Sequence, residues 1–247
     1  MLTAVDAVAV LLLMFALPLY LHYVDFPRTR ADVLSGRPNA RRDTFRRTIL
    51  QQWSITALVV LGWASAGRVW PDLRFAWPSG FGLGLTIGAT VAGVALATMQ
   101  AVAVARTPGA IPAIRKQFAE LEWLLPHTKT ESAWFRVLSV TAGICEEVVF
   151  RGYLLWGLDQ VLPLPGAVVL QAIVFGVCHS YQGKTGIVKT GIVGLVMGAL
   201  AAATGSLLGP IVIHAAVDLG AGSIALRVFG DDDARDQETA RAAHSIK

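Results

Sequence analysis

Charge is what this chain has least of. Only 15% of its 247 residues are Asp, Glu, Lys or Arg, where a soluble globular domain carries about 25%. Hydrophobic residues make up 54% and the mean hydropathy is +0.56. That is more apolar surface than one aqueous core can hide, so an ordinary soluble domain is excluded and most of the chain should face lipid. Cysteine is nearly absent. Cys145 and Cys178 lie inside apolar runs without metal-ligand spacing, which excludes a disulfide framework. There is no low-complexity tract and no repeat of about 20–50 residues. The net charge of +4 and pI near 9.3 raise nucleic acid as a partner. The basic residues sit in short loops between apolar runs, however, which is membrane topology and not a nucleic-acid patch.

What is there is a series of seven apolar runs, at 4–24, 49–66, 81–105, 135–158, 163–181, 186–204 and 207–229. Most reach the roughly 17–25 residues that a helix needs to cross a bilayer. The expected fold is all-α: a polytopic transmembrane helix bundle of about seven spans, forming one membrane-embedded domain over 1–229. The last three runs are rich in Gly and Ala, as tight helix packing requires, and Gly198, Ala202 and Ser206 form a small-residue stripe on the sixth. The first run lacks a basic start, contains Asp6 and has no small-residue cleavage site, so it reads as a retained span and not a signal peptide.

Orientation follows from the loops. Arg28, Arg30, Arg37, Arg41, Arg42, Arg46 and Arg47 form the largest basic cluster, which places residues 25–47 in the cytoplasm of a multi-pass cell-membrane protein. Seven spans then put the N-terminus outside and the C-terminus inside. Arg115, Lys116, Lys184 and Lys189 agree with this; Arg68 and Arg74 oppose it. Within 106–133, Ile114, Phe118, Leu121 and Leu125 recur at three- and four-residue steps, which predicts an amphipathic helix, either interfacial or in a solvated loop. The polar tail 230–247, with Asp231, Asp232 and Asp233, reads as disordered and cytoplasmic.

Three apolar runs carry ionisable groups that should not be there. The fourth holds Glu146, Glu147 and Arg151, the fifth Phe175 and His179, the seventh His214 and Asp218. A charge at bilayer depth costs about 2.5–3.5 kcal/mol on insertion scales, so these groups must pair or face a wet cavity. Glu147 and Arg151 are four residues apart, with the acid on the N-terminal side, as suits an ion pair. Glu146 points about 100° away from Glu147 on a helix and is left nearly free, as a general base requires. A lone histidine in an apolar helix is usually structural. Three spans with such groups favour a shared cavity, against the plainer reading of a polar network that only holds helices together.

Glu146-Glu147 with Arg151, Phe175 with His179, and His214 with Asp218 resemble the three motifs of the CPBP intramembrane proteases. These are the CAAX-processing and bacteriocin-processing enzymes, also called the Abi family. The resemblance covers the C-terminal half, a family core at about 130–229; the N-terminal half matches only in being hydrophobic. It implies an endopeptidase in which Glu146 and His179 bind and deprotonate water while His214 and position 218 face the oxyanion. Glu147 and Arg151 would fix Glu146 from behind, and Phe175 would pack one turn from His179. Position 218 departs from the family's common asparagine. Asp218 is either protonated or accepts from His214 and fixes that ring's tautomer, and the four-residue spacing favours the second.

Glu146, His179 and His214 are also the candidate metal ligands, since two histidines and a carboxylate can hold zinc with an open water position. The resemblance equally permits a metal-free glutamate mechanism, and no cofactor is required by it. The expected partners are the lipid bilayer and a protein or peptide substrate, prenylated if the CAAX-processing branch applies. An ion-coupled transporter is the main rival, but no inverted repeat or paired broken helices support it. A catalytically silent immunity or assembly factor is the other.

Overall fold

The computed structural model describes residues 2–230, which form eight helices and, among themselves, no strand. Thr3 starts the first with a capping box, its hydroxyl accepting from the Asp6 backbone N–H while the Asp6 carboxylate accepts from Thr3. This helix, α1, runs Ala4–Leu34. It widens into π turns at Leu12–Ala16 and Leu21–Asp25, just ahead of Pro18 and Pro27, each of which lacks the N–H that an α pattern needs. Helix α2 is Ala40–Ser65, α3 is Gly80–Arg106 and the short α4 is Ile111–Phe118. Helix α5 covers 129–159 and contains a π segment, Glu147–Leu154. Helices α6, Leu164–Cys178, α7, Gly183–Thr204, and α8, Leu208–Phe229, complete the bundle.

Each of the seven apolar runs falls in one of the seven longer helices. Among the described residues, four helical stretches are long and apolar enough to cross a membrane: Ala4–Leu34, Gly80–Arg106, Ser180–Thr204 and Leu208–Phe229. The other three fall short for separate reasons. Helix α2 carries Gln51, Gln52 and Ser54 in the stretch clear of its arginines, α5 carries the buried charges, and α6 has only 15 residues. Apolar side chains such as Val5, Phe81 and Val91 stand outward, as a lipid-facing surface requires.

Helix α5 is the centre of the packing, lying against α2, α8 and α6. Its approach to α8 depends on Gly143, where a Cβ would sit 2.9 Å from Ala215 Cβ and 3.0 Å from the carbonyl oxygen of Ile211. The α6–α7 crossing is equally close. A Cβ on Gly176 would meet the Ile187 carbonyl oxygen at 2.6 Å, and buried Gln171 bridges the pair by donating to Gly194 O at 3.0 Å. Gly198 of the small-residue stripe does pack on α6, against Gln171 and Val168. Ser206 lies past the end of α7 and accepts from the Leu208 backbone N–H instead.

At one end of the bundle the charges are consumed internally. Arg68 forms a bidentate pair with Asp6, over the rings of Trp63 and Trp156, and Tyr153 donates to the same carboxylate at 2.9 Å. Arg74, at φ 60°, donates to the carbonyl of Arg151 at 3.1 Å. Its loop tucks Leu73 beneath Gly152, so it caps a carbonyl of the π segment. The opposite end gathers the basic segments. Arg41 reaches Trp123 O and Glu131, and Arg115 donates to Val228 O. The 111–125 segment turns its apolar positions Ile114, Phe118, Leu121 and Leu125 onto Ile224, Val228 and Phe229 of α8. The acidic tail beyond Gly230 lies outside the described residues.

Candidate active site

Glu146, Glu147, Arg151, His179, His214 and Asp218 come together on one cavity of about 840 Å³, and all six line it. Helix α5 supplies the carboxylates at the junction where its α turn gives way to the π segment. Local π turns concentrate at functional sites because they re-aim side chains without breaking the helix. Glu147 and Arg151 are both 0% exposed and meet at 3.0 Å, as their spacing predicts. The guanidinium lies 3.9 Å from the centre of the Phe175 ring, which gives Phe175 a charge-facing role beyond packing.

Glu147 has a second partner. His214 Nδ1 stands 2.7 Å from the Glu147 oxygen that also accepts from Arg151. A carboxylate only accepts, so Nδ1 carries a proton and Nε2 is turned to the cavity. Asp218 does not fix this tautomer: its carboxylate is 3.7 Å from Nε2, and its side chain is half-buried. The expectation that Asp218 orients His214 is therefore corrected. The buried carboxylate on the neighbouring helix does so because the short α5–α8 approach at Gly143 brings it within reach.

His179 is held by its own helix. It is the residue at which α6 stops, with φ −98° and ψ 24°, and its Nδ1 donates to Phe175 O at 2.8 Å. That carbonyl is one of those a helix end leaves unpaired. The ring thus caps the helix and exposes Nε2, as His214 does. The two Nε2 atoms face one oxygen, Glu146 Oε2, at 3.7 Å from His179 and 3.9 Å from His214. Glu146 Oε2 has no hydrogen-bond partner among the described residues. Its other oxygen accepts from Gln52 Nε2 of α2 at 2.7 Å.

Glu146 is thus held by Gln52, while Glu147 and Arg151 act on His214. Gln52 was not among the residues singled out from the sequence. The available signal was a polar amide inside the apolar run 49–66. As metal ligands the three candidates fit poorly. Among the described residues no group of three or more His, Cys, Asp or Glu comes close enough together to hold a metal ion. Cys145 and Cys178 are buried free thiols beside the site.

Separations of 3.7–3.9 Å between polar atoms are too long for direct hydrogen bonds and suit one bridging water. The arrangement can therefore hold a water between a carboxylate oxygen and an imidazole acceptor, with a second imidazole beside it. Residues 128–220, which contain the three motifs, match the family model described as Rce1-like, type II CAAX prenyl endopeptidase. No curated protein and no solved structure matches the chain significantly. Over that segment, which is less than half of the chain, the sequence is similar to the Rce1-like family of CAAX prenyl endopeptidases, and the long apolar helices fit a multi-pass membrane protein.

Proposed function

We propose that this chain hydrolyses a peptide bond inside the membrane with a water activated by Glu146 and His179, without a metal. The observation that carries this reading is that both imidazoles have Nδ1 committed and turn Nε2 to the same Glu146 oxygen. The bridging water gives one hydrogen bond to His179 Nε2 and the other to Glu146 Oε2. Glu146 takes the proton as the oxygen attacks the scissile carbonyl carbon. Protonated on both nitrogens, His214 keeps Nδ1–H on Glu147 and presents Nε2–H to the oxyanion. Collapse breaks the C–N bond, and the proton held by Glu146 passes to the leaving amine.

The substrate proposed is the C-terminal tail of a prenylated protein. The family description supports it, as does a cavity with apolar walls that include Leu17, Leu21, Ile55, Leu138 and Met197. We also assign seven crossings, with the arginine-rich 25–47 segment in the cytoplasm and the N-terminus outside. The gathering of Arg41, Arg115 and the α8 C-terminus at one end supports this, as does the sequestering of Arg68 and Arg74 at the other.

The test uses purified full-length chain in lipid vesicles and a fluorogenic peptide ending in a farnesylated cysteine followed by three residues. Glu146→Gln is expected to lower turnover about 1,000-fold, the scale of a lost general base. Wild-type turnover is expected to survive a strong chelator. Undiminished cleavage by Glu146→Gln would overturn the mechanism, and loss on chelation that zinc restores would overturn its metal-free form.

A further inference from the structure

The matched family segment starts at residue 128, yet the only side-chain hydrogen bond to Glu146 among the described residues comes from α2, far upstream. Resting on the reading of the site just given, we propose that Gln52 is a positioning residue of the hydrolytic centre. Its amide anchors one oxygen of Glu146 so that the other faces the two imidazoles.

The geometry leaves this task to no other group. Glutamate has three rotatable bonds, and one anchored oxygen removes much of that freedom. Arg151 is committed to Glu147, as is His214 Nδ1. Against an ionised carboxylate only the amide NH₂ of Gln52 can make the 2.7 Å contact, since its carbonyl oxygen would repel. That carbonyl, Gln52 Oε1, is buried with no hydrogen-bond partner among the described residues. Beside a wet cavity it is an acceptor for a water hydrogen or for a substrate N–H.

The rest of α2 agrees with a hydrated face at this position. Thr44, Thr48, Gln52 and Thr56 recur every four residues, so they form one row along the helix, and all four line the cavity. Among the described residues the Thr44 hydroxyl is buried without a hydrogen-bond partner, like the Gln52 carbonyl. Gln52 and Thr56 fall within the apolar run 49–66, where polar side chains are expensive unless water or a partner reaches them. Gln52 is the member of the row that touches a carboxylate.

The variants are Gln52→Met, which keeps the length and removes the donor, and Gln52→Leu, which removes the donor with a shorter apolar side chain. Both are made in the full-length chain and measured in vesicles with the farnesylated peptide. We expect kcat to fall about 10–100-fold in each, as for other groups that orient a reacting side chain. KM should stay within about threefold and the melting temperature within about 3 °C of wild type. If Gln52→Met melts early, Gln52→Leu decides. A wild-type kcat in Gln52→Met, with Glu146→Gln inactive, overturns the role of Gln52 and leaves the hydrolytic reading standing. Cleavage by Glu146→Gln overturns both. A second readout needs no substrate: a hydrophobic carbodiimide should label Glu146 at a different rate in Gln52→Met than in wild type, read by mass spectrometry of the Glu146 peptide. Equal labelling rates overturn the proposal.

Discussion

At the scale of single residues, two carboxylates compete for the role of orienting His214, and distance separates them. Glu147 is 2.7 Å from Nδ1; Asp218 is 3.7 Å from Nε2. Glu147→Ala should therefore cost about 100-fold in kcat, because it frees the ring and leaves Arg151 buried without its partner. Asp218→Ala should cost less than that, and Asp218→Asn should keep most of the wild-type rate. A larger loss in Asp218→Ala than in Glu147→Ala would reverse the assignment. Outside the membrane-spanning helices, His127 stacks on Phe229 at 5.5 Å, with its Nε2 3.2 Å from Glu122 O. Burial, reinforced by Arg41 and opposed by Glu131 and Glu122, holds its pKa below the ordinary 6.5. Below that pH the unfolded chain binds a proton that the folded chain refuses, so stability is lost as pH falls through 6.5. His127→Phe should flatten the decline in melting temperature between pH 7 and pH 5; an unchanged slope would remove His127 as its cause. The motif residues were legible because ionisable groups in apolar runs are costly and hence conspicuous. Gln52 was not, because it is one of two adjacent neutral amides, Gln51 and Gln52, and nothing in their spacing picks it out until its partner on another helix is known.

At the scale of elements, the site depends on how closely α5 and α8 approach. Gly143 has no room for a methyl group on either side of Ala215 N, at 3.0 Å, or Ala215 Cβ, at 2.9 Å. Gly143→Ala should push the helices apart next to His214 and stretch its 2.7 Å contact with Glu147. A displacement near 1 Å costs about 100-fold in rate. Steady-state turnover should fall on that scale while far-ultraviolet circular dichroism keeps the wild-type helix content; normal turnover would show that the approach is slack. The positions of the seven longer helices were readable from apolar runs. Their internal geometry was not. Residues 147–154 have the composition of an ordinary α turn, and the wider π turn is held by Arg74 and Leu73, which come from a loop more than seventy positions earlier. Helix α6 is likewise shorter than its run, since the backbone stops at Cys178 and the His179 ring takes up the last carbonyl.

At the scale of the whole molecule, the distribution of charge predicts how the bundle sits in a bilayer. Arg68 and Arg74 read from the sequence as exceptions to the positive-inside pattern. In the fold the first is paired with Asp6 and the second caps Arg151 O, so neither is a free loop charge. A cysteine placed at Gly36 should react with a membrane-impermeant maleimide only from the cytoplasmic side, and one at Pro78 only from outside. Labelling of both from the same side would refute seven crossings. The native thiols of Cys145 and Cys178 are buried and should stay silent in that assay. The cavity also bears on what counts as the smallest working unit. Leu17 and Leu21 of α1 and Thr48, Gln52 and Ile55 of α2 form part of its wall, and all precede the segment that the family model covers. An excised 128–220 fragment would keep every motif yet lose one wall of the cavity and open Glu146 to lipid. In this chain the segment that carries the family signature and the smallest unit with an intact cavity are therefore different objects.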